Sequence, residues 1–130
     1  MVVVDASAIL ELLKGSIPGR RLLDRLGAPD YDLGAPHLID AEVLQTLRRW
    51  TLTAGLPAET ARRWLDAYQG LAIRRYPHGD LVDRAWELRA NLNAYDALYL
   101  ALAEGLGRPL VTADARLSRA TGHRARIQVL

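Results

Sequence analysis

The chain has 130 residues, 50% of them hydrophobic and 25% charged, with a net charge of +2 and no cysteine. That balance fits one compact domain spanning 1–130 and excludes a disordered chain, a disulfide scaffold, a thiolate metal site and a cysteine nucleophile. No apolar run approaches the roughly 20 residues of a membrane helix. Asp5 and Glu11 also interrupt the N-terminal apolar stretch, which no basic segment precedes, so a signal peptide is not read and a cytoplasmic location is expected.

Val2, Val3 and Val4 are β-branched in succession and read as a strand buried on both faces. Asp5 stops the run, and Ser7 has the character of an N-cap for a short helix over Ala6–Leu13. Gly15 ends that helix, and another follows over Pro18–Leu26. Ala28–Pro36 is rich in Pro, Gly and Asp and reads as a loop holding at most a short extended piece. A long helix is predicted from Pro36 to Ala54, its core face formed by Ile39, Val43, Leu47 and Trp50.

Pro57 opens the next helix, with a stripe of Ala61, Trp64, Leu65 and Tyr68. Leu71–Tyr76 reads as a strand closed by Pro77. Asp80 is placed as the cap of a helix reaching about Ala90, and Asn93 as the cap of a buried helix, Ala94–Leu106. Pro109–Thr112 is another strand, Asp114 starts a last short helix, and Ile127–Leu130 is a final strand. Strands alternating with helices predict an α/β fold with a parallel sheet covered on both faces.

Most of the acids fall on polar faces or in loops, but four lie in apolar surroundings. Asp5 ends the first strand and Asp114 follows a later one, so both lie at the carboxyl edge of the sheet, where ligands of open α/β sheets bind. Glu42 stands about 60° from Ile39 on a helical wheel and flanks the buried face. Asp96 is the one charge in the first turns of the buried helix. Each has a local alternative: Asp5 as a strand end, Glu42 as a paired helix acid, Asp96 as a first-turn acid, Asp114 as an N-cap. Converging carboxylates repel unless a cation lies among them, and an all-oxygen cage without Cys or His suits Mg²⁺ or Mn²⁺. Such an ion can stabilise a phosphate and activate a water for in-line attack. Ser7 and Thr112 carry hydroxyls two residues from Asp5 and Asp114 and could orient the acids.

Four segments carry a resemblance: Val-Val-Asp-Ala-Ser-Ala at 3–8, Pro-His-Leu-Ile-Asp-Ala-Glu-Val-Leu at 36–44, Tyr-Asp-Ala-Leu-Tyr-Leu-Ala-Leu-Ala at 95–103 and Leu-Val-Thr-Ala-Asp-Ala-Arg-Leu at 110–117. The chain resembles the PIN domain and, more narrowly, the VapC-type toxin ribonucleases of toxin–antitoxin pairs. That resemblance implies a three-layer α/β/α fold around a mostly parallel sheet and a Mg²⁺- or Mn²⁺-dependent endoribonuclease. It implies that Asp5, Glu42, Asp96 and Asp114 hold the metal and perform catalysis, with Ser7 and Thr112 in support. It also implies a homodimer, neutralised by a small VapB-type antitoxin in a hetero-oligomer. Some members carry another acid or Asn two residues after the last Asp; here that residue is Arg116, a candidate contact to an RNA phosphate.

Sixteen of the seventeen cations are arginine, Lys14 being the exception, and arginine suits phosphate recognition. Arg116, Arg119, Arg124 and Arg126 are read as guides for a phosphate backbone, and Arg48, Arg49, Arg62 and Arg63 as solvated helix faces. Asp40 is read as a first-turn acid opposing the helix dipole. Trp50, Trp64 and Trp86 are read as core or dimer-interface residues, and Tyr95 and Tyr99 as packing residues that could also stack bases. Phosphotransfer folds also place an Asp after the first strand. However, a dehalogenase-type phosphatase needs a second Asp where Ser7 stands, and a receiver domain needs a late Lys. The remaining alternative is a PIN-like domain that binds RNA or a partner without cleaving.

Overall fold

In the computed structural model, which describes residues 1–130, strand β1 (Val2–Val4) leads through Asp5 into helix α1 (Ala6–Lys14). Helix α2 (Ile17–Leu26), strand β2 (Leu33–Pro36), helix α3 (Leu38–Thr53) and helix α4 (Ala58–Gln69) follow. Strand β3 (Ile73–Tyr76) then precedes a 3₁₀ turn at Gly79–Leu81 and helix α5 (Val82–Glu87). Helix α6 (Ala94–Leu106), strand β4 (Leu110–Thr112), a 3₁₀ turn at Ala115–Arg119 and strand β5 (Ile127–Val129) complete the chain.

The sheet runs β3-β2-β1-β4-β5, and all four pairings are parallel. β1 is therefore the middle strand, with the chain crossing to β2 and β3 on one side and to β4 and β5 on the other. Val3 and Val4 have no exposed surface, as expected of a strand covered by helices on both faces. α6 lies against β1, β2 and β4 with α5 beside it, while α1 packs on α2, α3 and α4. This is the three-layer α/β/α arrangement expected from the alternation of elements. A strand order that departs from β1 in both directions opens a crevice at the carboxyl ends of the strands. No helix is long and apolar enough to cross a membrane.

Several local expectations change. The N-cap of α1 is Asp5 rather than Ser7: its carboxylate accepts from the Ala8 N–H. Ala28–Pro36, read as a loop holding a short extended piece, contains β2, four buried residues paired on both edges. Leu-Gly-Ala-Pro has little intrinsic strand preference; its pairing with β1 on one side and β3 on the other draws it into the sheet. A Cβ on Gly34 would lie 3.3 Å from the Tyr76 ring and 3.5 Å from the Met1 sulfur. Asp80 makes no capping bond, and α5 ends at Glu87, short of Ala90. Asp40 is not merely opposing the helix dipole: Arg75 grips its carboxylate through Nε and Nη2, and the Tyr68 hydroxyl donates to it. Trp50 and Trp64 meet edge to face with centroids 6.4 Å apart, whereas Trp86 is 67% exposed and outside the core.

The fit of α2 against α1 depends on one close approach. Gly19 is buried, and a Cβ there would meet the Glu11 carbonyl oxygen at 2.0 Å. Because α1 carries Ser7 and Glu11, this contact also sets one wall of the crevice.

Candidate active site

Asp5 leaves the end of β1 and turns into α1, so one carboxylate both caps the helix and faces the crevice. Its Oδ1 accepts from Ser7 Oγ at 2.6 Å and the Ala8 N–H at 3.0 Å, and its Oδ2 accepts from Thr112 Oγ1. A carboxylate offers about four acceptor positions, so one remains, on Oδ2. Ser7 Oγ also accepts the Ala113 N–H at 2.9 Å, and Thr112 Oγ1 accepts the Asp114 N–H at 3.0 Å. The two hydroxyls thereby tie the end of β1 to the loop after β4. Asp5 and Thr112 are the buried polar pair of the core. Burial pushes the Asp5 carboxyl above the usual carboxylate range; hydrogen bonds from Ser7, Thr112 and Ala8 pull against this, and the charge of Asp114 adds to it.

Glu42 is half-buried on α3, one position from the core residue Val43. The Tyr99 hydroxyl, on α6, donates to its Oε1 at 2.7 Å. Burial raises its pKa, the Tyr99 bond opposes the rise, and Asp5 and Asp96 repel it further. Asp96 lies in the first turn of α6. Its backbone N–H is satisfied by the Asn93 side chain at 2.8 Å, so its carboxylate is not needed as a cap and makes no hydrogen bond within the chain. Burial and then the charges of Asp5 and Asp114 raise its pKa, with Arg116 opposing.

Asp114 differs from the other three. It caps the 3₁₀ turn after β4 by accepting the Arg116 N–H at 3.0 Å, and the Arg116 guanidinium clasps both its oxygens, Nη2 at 2.7 Å and Nε at 3.0 and 3.2 Å. The Arg116 hydrogen bonds hold its pKa below the usual range. Asp114 is thus both a local cap and a member of the cluster.

All four carboxylates line one cavity of about 330 Å³ at the carboxyl edge of the sheet. As they stand, no three of them come within reach of a single ion. The donor chemistry nevertheless fits a hard divalent cation: four carboxylates, no nitrogen or sulfur ligand, one open position on Asp5 Oδ2, and uncommitted oxygens on Glu42 and Asp96. Mg²⁺ keeps several waters and takes only one or two carboxylates directly, so such a cluster can serve it partly through water.

The cavity holds residues that sequence reasoning set aside. Glu42, Thr46, Arg49 and Trp50 form its α3 wall. Steps of four, three and one from Glu42 put them on one helix stripe, a signal present in the sequence once Glu42 is chosen. Arg49 is exposed, as expected, but stands at this mouth. Ser7, Leu10 and Glu11 form the α1 wall in the same way. Arg116 and Arg119 border an adjoining cavity that shares Asp96 and Asp114. Arg124 and Arg126 do not reach this edge. They precede β5 and line a separate cavity with Arg108, which precedes β4.

The PIN domain family model matches residues 2–122. Ribonuclease VapC9 of Mycobacterium tuberculosis is 48% identical over 118 residues, covering 91% of this chain and 89% of that protein. Among solved structures, VapBC2 from Rickettsia felis bound to a promoter DNA fragment superposes with a TM-score of 0.72 at 14% identity, covering 99% of this chain and 98% of that one. A toxin–antitoxin complex from Klebsiella pneumoniae superposes with a TM-score of 0.66 at 18% identity, covering 89% and 88%. At such identities the superpositions speak for the fold, while the family match and the VapC9 relative speak for descent. The chain belongs to the PIN domain family, among the VapC ribonucleases.

Proposed function

We propose that this protein is an endoribonuclease toxin that hydrolyses RNA phosphodiester bonds with Mg²⁺ or Mn²⁺ held by Asp5, Glu42, Asp96 and Asp114. The observation that carries the reading is the convergence of four carboxylates, from four separate segments, on one cavity at the carboxyl edge of the sheet. Kinship with the VapC ribonucleases supplies the reaction class.

A bound divalent ion would stabilise phosphate charge and supply an activated water. The chain's own contribution is to hold the oxygens that receive it. Ser7, Thr112 and the Ala8 N–H fix the Asp5 carboxylate and leave one Oδ2 position facing the cavity. Tyr99 holds Glu42 Oε1 and leaves Oε2 to the site. Asp96, without an internal partner, can turn toward ion or water. Arg49, Arg116 and Arg119 stand around the mouth, where cations can seat the flanking phosphates. In the hydrolysis, water oxygen bonds to phosphorus and the bond to the 3′ oxygen breaks. The products carry a 5′-phosphate and a 3′-hydroxyl.

The partners in this reading are an RNA substrate, a small VapB-type antitoxin and a second copy of the chain, in a cytoplasmic hetero-oligomer. The resemblance of the fold to toxin–antitoxin assemblies supports it, as do the large apolar side chains left exposed at Val82, Trp86 and Tyr95.

The test is cleavage of end-labelled RNA by the purified protein with Mg²⁺, with Mn²⁺ and with chelator, alongside Asp5→Asn. Metal-dependent cleavage that Asp5→Asn loses supports the reading. Products ending in 2′,3′-cyclic phosphate would contradict the mechanism. RNA binding without cleavage in either form would favour a binding module.

A further inference from the structure

Arg116 occupies the position of a counter-ion. Three N–H groups of Arg116 converge on Asp114: Oδ1 receives the backbone N–H, Oδ2 receives Nη2, and the single Nε–H is shared between the two oxygens. Asp5, Glu42 and Asp96 have no cationic partner. Glu11, on the α1 wall of the cavity, is paired with Lys14 at 2.9 Å, and Arg75 pairs with Asp40 away from the cavity. The guanidinium itself is 81% exposed, against 26% for Asp114. It is therefore tethered to the cluster only by this fork and is easily released to water. Asp114 in turn is held in place from behind, because its own N–H donates to Thr112 Oγ1, the hydroxyl that also binds Asp5.

We infer that Arg116 competes with the divalent ion for Asp114, so that metal loading requires the guanidinium to swing off the carboxylate. This rests on the reading of the acid cluster as a metal site. A forked but exposed ion pair in water is weak, so the competition costs metal affinity about two- to fivefold. Loading would also leave Arg116 free at the edge of the adjoining cavity beside Arg119.

A double-mutant cycle read by Mn²⁺ binding, by titration calorimetry or the electron spin resonance of free Mn²⁺, tests this on the full chain without substrate. The proteins are wild type, Arg116→Gln, Asp114→Asn, the double variant and Asp5→Asn. Arg116→Gln should bind Mn²⁺ about two- to fivefold more tightly than wild type, and in the Asp114→Asn background the same change should have no effect. Equal or weaker binding by Arg116→Gln would overturn the inference. So would equal tightening in both backgrounds, because Arg116 would then act only through its charge at a distance. If the wild type binds Mn²⁺ and Asp5→Asn does not, a flat cycle sinks this inference alone. If wild type and Asp5→Asn bind equally, or neither binds, the metal-site reading falls with it.

Discussion

Asp5 carries two duties, and the two substitutions Asp5→Asn and Asp5→Ala separate them. Asn has the same shape and is as good an N-cap as Asp. Its Oδ1 can keep the bonds from Ser7 and the Ala8 N–H. Its NH₂ then faces Thr112, whose hydroxyl can accept it and donate instead to Ser7, 3.1 Å away. The lost charge-assisted bond, on the order of 1.5–3 kcal/mol, is offset because a buried charge no longer sits near Glu42, Asp96 and Asp114. The metal-free Asn variant should therefore lie within about 1 kcal/mol of wild type. Ala additionally removes the cap and should be about 1 kcal/mol less stable than Asn. In both variants the open Oδ2 position is gone. Wild type should gain about 2.7 kcal/mol of stability at Mn²⁺ one hundred times its Kd, and Asp5→Asn should gain far less. Cleavage should fall more than about 100-fold, beyond the loss typical of groups that only orient a ligand. The assays are urea unfolding with and without Mn²⁺, and RNA cleavage. An Asn variant that unfolds, or that cleaves within tenfold of wild type, would refute the reasoning and return Asp5 to a purely structural role.

Thr112→Val preserves shape but removes the donor to Asp5 and the acceptor of the Asp114 N–H. It should reduce cleavage about 10–100-fold and cost about 1–3 kcal/mol in thermal or urea unfolding. Gly19→Ala should destabilise by about 1–3 kcal/mol, since the new methyl would strike the Glu11 carbonyl; an unchanged urea midpoint would show that α2 can move away. The pH dependence follows from the raised acids. Asp5, Glu42 and Asp96 are pushed up chiefly by burial, so the folded state holds protons there more tightly than the unfolded one. Between their folded pKa values and the ordinary carboxylate range near 4, that favours the fold as pH falls. Asp114, Asp40 and Glu104, lowered by their arginine partners, contribute stability that is lost at still lower pH. In metal-free protein, acidification through the upper window should therefore raise wild-type stability relative to Asp5→Asn, and saturating Mn²⁺ should abolish that difference. Parallel curves for the two proteins without metal would contradict the burial argument.

The sequence alone was enough to place the four acids and their supporting hydroxyls, because strand ends and helix starts are marked by local chemistry. A run of valines stopped by a carboxylate, and an Asn cap followed by an apolar helix with one Asp, can each be read without knowing their neighbours. The alternation of strands and helices then leaves few topologies, and all of them collect Asp5 and Asp114 on one edge. Tertiary structure decided what depended on contacts between distant segments. β2 has little strand propensity of its own and is drawn into the sheet by parallel pairing with β1 and β3, where a Cβ on Gly34 would crowd the Tyr76 ring. Asp5 rather than Ser7 caps α1 because the helix starts at Ala6, which puts Ser7 inside the first turn with its hydroxyl bonded to Asp5 and to the loop after β4. The bond from Tyr99 to Glu42 spans 57 residues, and the fork from Arg116 to Asp114, though local, depends on how the 3₁₀ turn folds. Propensity and periodicity report where a side chain sits on its own element. Which carboxylate keeps an open oxygen, and which is already taken by an arginine, is set by the packing that brings those elements together.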